Sequence, residues 1–209
     1  LVDIDDGYCD VEVAAHTARV MEAAGASGVV LEDQQRPRRC GHYDGKQLMP
    51  IDEYVQKLER VLAARNDLLV VARTDATDHD DISRRVEAYA AAGADAILVD
   101  AVRDLDVLRT LTDRTPLPFV FNQIAGGKSP ACSLSELEDV GVSLVIYSTP
   151  CLFAAQEAME SALKDLLARD GRLPEQTNGH VGVPKCTAVL QKNLGAADRP
   201  RSSALTPVH

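Results

Sequence analysis

Six short apolar runs rich in β-branched residues, at 1–4, 28–31, 68–72, 96–99, 118–121 and 144–147, alternate along this chain with segments of helical periodicity at 11–24, 51–64, 80–92, 102–112, 134–140 and 152–168. That rhythm leaves few folds open. Strands this short and this continuously apolar need cover on both faces, and a helix between each pair supplies it, which makes the strands parallel. Glycines follow the helical segments, in Ala24-Gly25-Ala26, Ala92-Gly93-Ala94 and Val140-Gly141-Val142, where a left-handed residue ends a helix.

Polar side chains collect at the opposite ends of the strands: Asp3 and Asp5, Glu32 and Asp33, Arg73 and Asp75, Asp100, Asn122 and Tyr147. In a (β/α)8 barrel these positions surround one pocket. A doubly wound open sheet also gathers ligands there, but no G-x-G-x-x-G follows the first strand. The sequence therefore predicts an α/β fold of TIM-barrel type over residues 1–170, with about six of the eight strands of a (β/α)8 barrel present. Residues 171–195 read as a C-terminal extension with a short helix at 187–194, and 196–209 as a disordered tail.

Lys plus Arg of 22 against Asp plus Glu of 32 gives a net charge of −10. That sign disfavours nucleic acid and anionic membrane surfaces, and points to a small-molecule partner. No apolar run approaches the roughly 18 residues of a membrane span. Five scattered cysteines without a C-x-x-C pair favour a reducing compartment, with the cytoplasm as the natural reading. The chain opens on a strand with no visible signal peptide.

The densest chemistry lies at 32–46, where Glu32-Asp33-Gln34 at a strand end leads into Arg38-Arg39-Cys40-Gly41-His42 and Gly45-Lys46. Cations beside a cysteine favour its thiolate, although a lone cysteine is also compatible with an inert side chain. Cys40 and His42 lack a second pair at zinc spacing. Asp3, Asp5 and Glu32 form an all-oxygen acidic cluster suited to Mg²⁺ or Mn²⁺; the alternative is a strand-end turn, which Asp6-Gly7 would favour. Arg73 closes an apolar strand and needs an anion, either Asp75 or a substrate carboxylate or phosphoryl group. Gly126-Gly127-Lys128-Ser129 lacks the leading glycine of a phosphate loop, position 122 being Asn, but its turn can still present N–H groups to an anion.

Taken together, these motifs resemble the isocitrate lyase and phosphoenolpyruvate mutase superfamily over about residues 1–170. The matches are Val2-Asp3-Ile4-Asp5-Asp6-Gly7-Tyr8, Glu32-Asp33-Gln34, the Cys-Gly-His gate, Ala72-Arg73-Thr74-Asp75-Ala76, Ala92-Gly93-Ala94-Asp95-Ala96-Ile97, and Asn122 with Gly126-Gly127-Lys128-Ser129-Pro130. The resemblance implies a barrel whose eighth helix is exchanged between subunits, a homo-oligomer (dimer or tetramer), and Mg²⁺-dependent (or Mn²⁺-dependent) chemistry on a carboxylate substrate through an enolate. It implies Asp3, Asp5 and Glu32 as metal ligands. Gly41, Arg73, Asp100, Asn122 and Ser129 become candidate substrate contacts, and Cys40, Arg73, His42 and Arg38 candidate catalytic groups, with Cys40 as acid/base in the lyases.

The leading expectation is a carbon–carbon lyase of the methylisocitrate lyase type. The alternatives are phosphonomutase-type P–C chemistry and a truncated member serving only as a binding or oligomer partner. Arg38 stands where the family usually has lysine, Asp100 where lyases have glutamate, Cys9 where glycine is common, and 123–125 departs from M-V-E. The resemblance also places the family's first two strands, with a Ser-Gly loop and a catalytic aspartate, ahead of residue 1.

Overall fold

A computed structural model describes residues 1–173 and 181–197. The strands are β1 (Val2–Asp3), β2 (Gly28–Glu32), β3 (Leu69–Thr74), β4 (Ala96–Val99), β5 (Phe119–Gln123) and β6 (Val142–Tyr147). The helices are α1 (Val11–Ala23), α2 (Ile51–Ala64), α3 (His79–Ala91), α4 (Leu105–Arg114), α5 (Leu134–Asp139), α6 (Pro150–Ala168) and α7 (Val183–Ala197). One compact unit comprises Leu1–Ala154 and a second begins at Ala155. The predicted tail falls outside the described residues from 198 onward, as does 174–180 of the predicted extension.

All pairings among the six strands are parallel, and the strands neighbour one another in chain order from β1 to β6. A doubly wound sheet would reverse its order at a switch point. Sequential order is the barrel's arrangement, and the six strands form a half-barrel. Helix ends follow the local chemistry. Asp10, Asp78, Asp104 and Ser133 cap the N-termini of α1, α3, α4 and α5 through side-chain oxygens, and Gly25 and Gly93 take φ +95° just past α1 and α3.

Alternation along each strand divides the core in two. The larger cluster, including Val29, Leu31, Val70, Ala72, Ile97 and Phe119, packs with residues of the helices such as Leu58, Val86 and Leu108. The smaller is a layer of Val30, Val71, Leu98 and Val120, with Ile146 against it. Side chains two residues apart on a strand share a face. Two positions beyond this inner layer stand Glu32, Arg73, Asp100, Asn122 and Ser148. The barrel interior is thus apolar at one level and polar at the next, towards the strand C-termini.

Candidate active site

A cavity of about 420 Å³ is lined by Arg38, Arg39, Cys40, Gly41, His42, Arg73, Asp100, Asn122, Ile124 and Ser148. Arg73 is nearly buried. Its Nε donates to Asp75 Oδ2 at 3.0 Å, and its Nη2 donates to Asp75 Oδ1 at 3.1 Å and to Asp100 Oδ2 at 2.9 Å. Burial alone would make its charge harder to hold, but Asp100, Asp75 and Glu32 outweigh that and push its pKa above the ordinary arginine value. Asp75 is therefore one of the anions Arg73 needs, while Nη1 has only a 3.6 Å contact with Asp3 among the described residues. Asp100 Oδ1 accepts from Asn122 Nδ2 at 3.1 Å, and Asn122 Oδ1 accepts from Ser148 Oγ at 2.5 Å.

The gate, residues 36–46, is laid over this ring by anchors along its length. Arg36 donates twice to Asp6 at 2.7 Å. Burial would raise the Asp6 pKa, but the hydrogen bonds and charge of Arg36 hold it below its usual value. Gln34 exchanges hydrogen bonds with the Arg39 backbone at 2.8 and 2.9 Å. Lys46 Nζ donates to the Gly41 carbonyl and lies 3.5 Å from Asp75.

Gly41 is required sterically. A Cβ there would overlap Asp100 Oδ2 and stand 2.5 Å from Asp75 Oδ1. Gly127 permits a further close approach from the β5–α5 loop, since its Cβ would meet His42 Nδ1 at 2.6 Å. The same Nδ1 accepts from the Lys128 backbone N–H at 2.8 Å, and Lys128 Nζ pairs with Asp44. His42 is thus neutral and buried, and desolvation holds its pKa below the ordinary value even though Asp100 pulls it up. Cys40 is exposed and faces the cavity from the gate.

The acidic cluster departs from its predicted geometry. The sequence places Asp3 and Asp5 on one strand face, but β1 ends at Asp3 and Asp5 is left-handed at φ +55°. The cause is local: Asp3 Oδ1 accepts the Asp5 backbone N–H at 2.9 Å and turns the chain. Arg38 then joins the cluster, its Nη2 2.7 Å from Asp5 Oδ1 and its Nε donating to Glu32 Oε1. Glu32 is fully buried, and its Oε2 is 3.5 Å from Arg73 but makes no hydrogen bond. Burial raises the Glu32 pKa against the opposing pull of Arg38 and Arg73.

Among the described residues, no group of three or more His, Cys, Asp or Glu side chains converges at metal-binding spacing. The donor chemistry still fits a hard divalent ion. The acidic cluster itself offers oxygen donors, and five carboxylates (Asp3, Asp5, Glu32, Asp75 and Asp100) face three cations (Arg38, Arg73 and Lys46). The unpartnered Glu32 Oε2 is an acceptor without a donor.

Ser129 lies elsewhere. It lines a neighbouring cavity of about 440 Å³ with Gln123, Gly126, Gly127 and Tyr147, and Ile124 borders both spaces. The turn at Gly126, φ +71°, carries the loop past the end of β5. Sequence reasoning also missed Ser148, which the alternation from Ile146 would have located. It missed the support behind the site as well. Buried Asp33 accepts from Tyr89 Oη at 2.7 Å and Arg85 Nη1 at 3.0 Å, while its other oxygen accepts the Asp75 backbone N–H at 3.0 Å. The residue that holds Arg73 is itself held from below.

Comparison with known proteins places the chain in a family. A family model described as phosphoenolpyruvate phosphomutase matches residues 1–167. The chain is 44% identical over 163 residues to a 2-methylisocitrate lyase of Bacillus subtilis (strain 168), covering 77% of this chain and 54% of that protein. The crystal structure of 2,3-dimethylmalate lyase, a PEP mutase/isocitrate lyase superfamily member, superposes with a TM-score of 0.85 at 26% identity, covering all of this chain and 72% of that one. A phosphonopyruvate hydrolase solved with oxalate and Mg²⁺ gives 0.78 at 27% identity, covering 97% of this chain and 72% of that one. The chain spans about half the length of the curated relatives it matches.

Proposed function

From the premise that the chain belongs to the phosphoenolpyruvate mutase and isocitrate lyase superfamily, we propose that it is a carbon–carbon lyase cleaving a substituted, malate-like 2-hydroxy acid. The observation that carries this reading is that the Gly41 backbone is pressed against Asp75 and Asp100, so that Cys40, Arg73 and Asn122 line one cavity.

In retro-aldol cleavage the 2-hydroxyl gives up its proton to a base and becomes a carbonyl as the C–C bond breaks. The electron pair passes to the carbon beside a carboxylate as an enolate, whose charge must be met as it develops. Arg73 is held by Asp75 and Asp100 in one orientation, with Nη1 left for an anionic oxygen of the substrate. Asn122, fixed between Asp100 and Ser148, orients a second polar group. Cys40 delivers or takes the proton at the cleaved carbon, and the gate excludes water from the enolate. Asp3, Asp5 and Glu32 would hold Mg²⁺ or Mn²⁺, which supplies Lewis-acid stabilisation of anionic oxygens. The proposed partners are a small carboxylate substrate and further copies of the chain.

The test is Cys40→Ser, assayed for retro-aldol cleavage of 2-methylisocitrate and 2,3-dimethylmalate. Loss of turnover with Mg²⁺ affinity retained is the expected result; unchanged turnover removes the thiol from the mechanism. A second reading, phosphonomutase-type P–C chemistry, draws on the family model's own description. A ³¹P assay with phosphonopyruvate separates the two.

A further inference from the structure

We propose that Arg38 is an internal counter-ion that competes with a divalent cation for Asp5 and Glu32. The inference rests on the reading that these acids hold a metal. Arg38 bridges the two carboxylates, with Nη2 2.7 Å from Asp5 and Nε donating to Glu32. Among the described residues it is the one cation paired with Asp5. A planar guanidinium reaches two carboxylates at once, as a divalent ion does, whereas an ammonium is a single compact charge.

Two features point beyond an ordinary structural ion pair. Glu32 is fully buried, and only one of its oxygens receives a hydrogen bond; the second has only Arg73 Nη2 at 3.5 Å, so Arg38 half-satisfies it. Asp5 sits on a left-handed backbone that turns it off its strand, and it meets Arg38 at the exposed rim of the cluster. The guanidinium is also part of the gate. It lies between the Arg36–Asp6 anchor and the Arg39–Gln34 anchor, so an ion that takes Asp5 and Glu32 displaces one of the contacts that hold the gate down. Metal loading thus frees one gate contact while the anchors of Arg36, Arg39 and Lys46 stay in place. The arginine at this position, where a lysine would have engaged one carboxylate at a time, sets the strength of the competition.

The experiment titrates Mn²⁺ into the full chain by EPR and calorimetry, comparing wild type with Arg38→Met, Arg38→Lys and Arg39→Met. Arg39 carries the same charge on the same gate but touches none of the acids, so its variant measures the general field. Removing a charge-assisted bridge predicts roughly ten- to a hundredfold tighter Mn²⁺ binding in Arg38→Met, an intermediate gain in Arg38→Lys, and less than about twofold in Arg39→Met. Should Arg38→Met not fold without metal, the Arg38→Lys to Arg39→Met comparison carries the same decision. Equal gains at positions 38 and 39, or none at 38 in a protein that binds Mn²⁺, overturn the competition and leave the metal reading standing. Failure of every variant and of wild type to bind Mn²⁺ overturns both.

Discussion

The imidazole of His42 accepts the backbone N–H of Lys128 through Nδ1 at 2.8 Å, and so ties the gate to the loop that follows β5. That bond exists only while Nδ1 is unprotonated. Burial depresses the His42 pKa in the folded protein, with Asp100 and Asp75 pulling it up and Lys46 and Arg73 pushing it down. The unfolded chain therefore takes up this proton at higher pH than the folded one. The stabilisation is complete above the unfolded value of about 6.5 and is lost as pH falls through the folded pKa. Protection of the Lys128 amide against hydrogen exchange is expected to fall over that window, and His42→Phe is expected to remove the pH dependence. A flat profile in wild type contradicts the latch.

Gly41→Ala should separate activity from stability. The added methyl overlaps Asp100 Oδ2, so the gate must lift while the strands beneath keep their packing. A loss in kcat/KM of the proposed retro-aldol reaction of at least about a hundredfold is expected, with melting temperature shifted by only about a few degrees.

Ser148→Ala removes the hydrogen bond that orients Asn122. Asn122 keeps its partner Asp100, so the site is loosened rather than dismantled. The expected effect is a decrease in kcat/KM of roughly three- to tenfold, corresponding to one ordinary hydrogen bond. Steady-state kinetics on the variant give the answer.

Tyr89→Phe takes one donor from buried Asp33. Arg85 and the Asp75 amide remain as its partners. Urea unfolding is expected to show a loss of about 1–2 kcal/mol, and a change below about 0.3 kcal/mol would mean that the buried carboxylate does not depend on this hydroxyl.

The barrel class, the six strands and the order of helices were legible in the sequence because period-2 and period-3.6 patterns report burial directly. Of the candidate site residues, Arg38, Cys40, Gly41, His42, Arg73, Asp100 and Asn122 line one cavity, and Glu32 lies buried against Arg38 and Arg73. Asp5 was misplaced because a single side-chain cap from Asp3 ends the strand early, and no periodicity encodes that hydrogen bond. Ser129 lines the neighbouring cavity, which motif order does not report, because it does not give the direction in which a glycine turn sends the chain. Ser148, by contrast, was readable by stepping two residues on from Ile146. The role of Arg38 as a bridge was invisible, since it depends on a gate folding back across a strand end.

The one-pleat offset between Val30 and Glu32, Val71 and Arg73, Leu98 and Asp100, and Val120 and Asn122 keeps the residues that build each strand apart from those offered for chemistry. A designer could rewrite the upper tier for another small acid while leaving the lower tier to specify assembly.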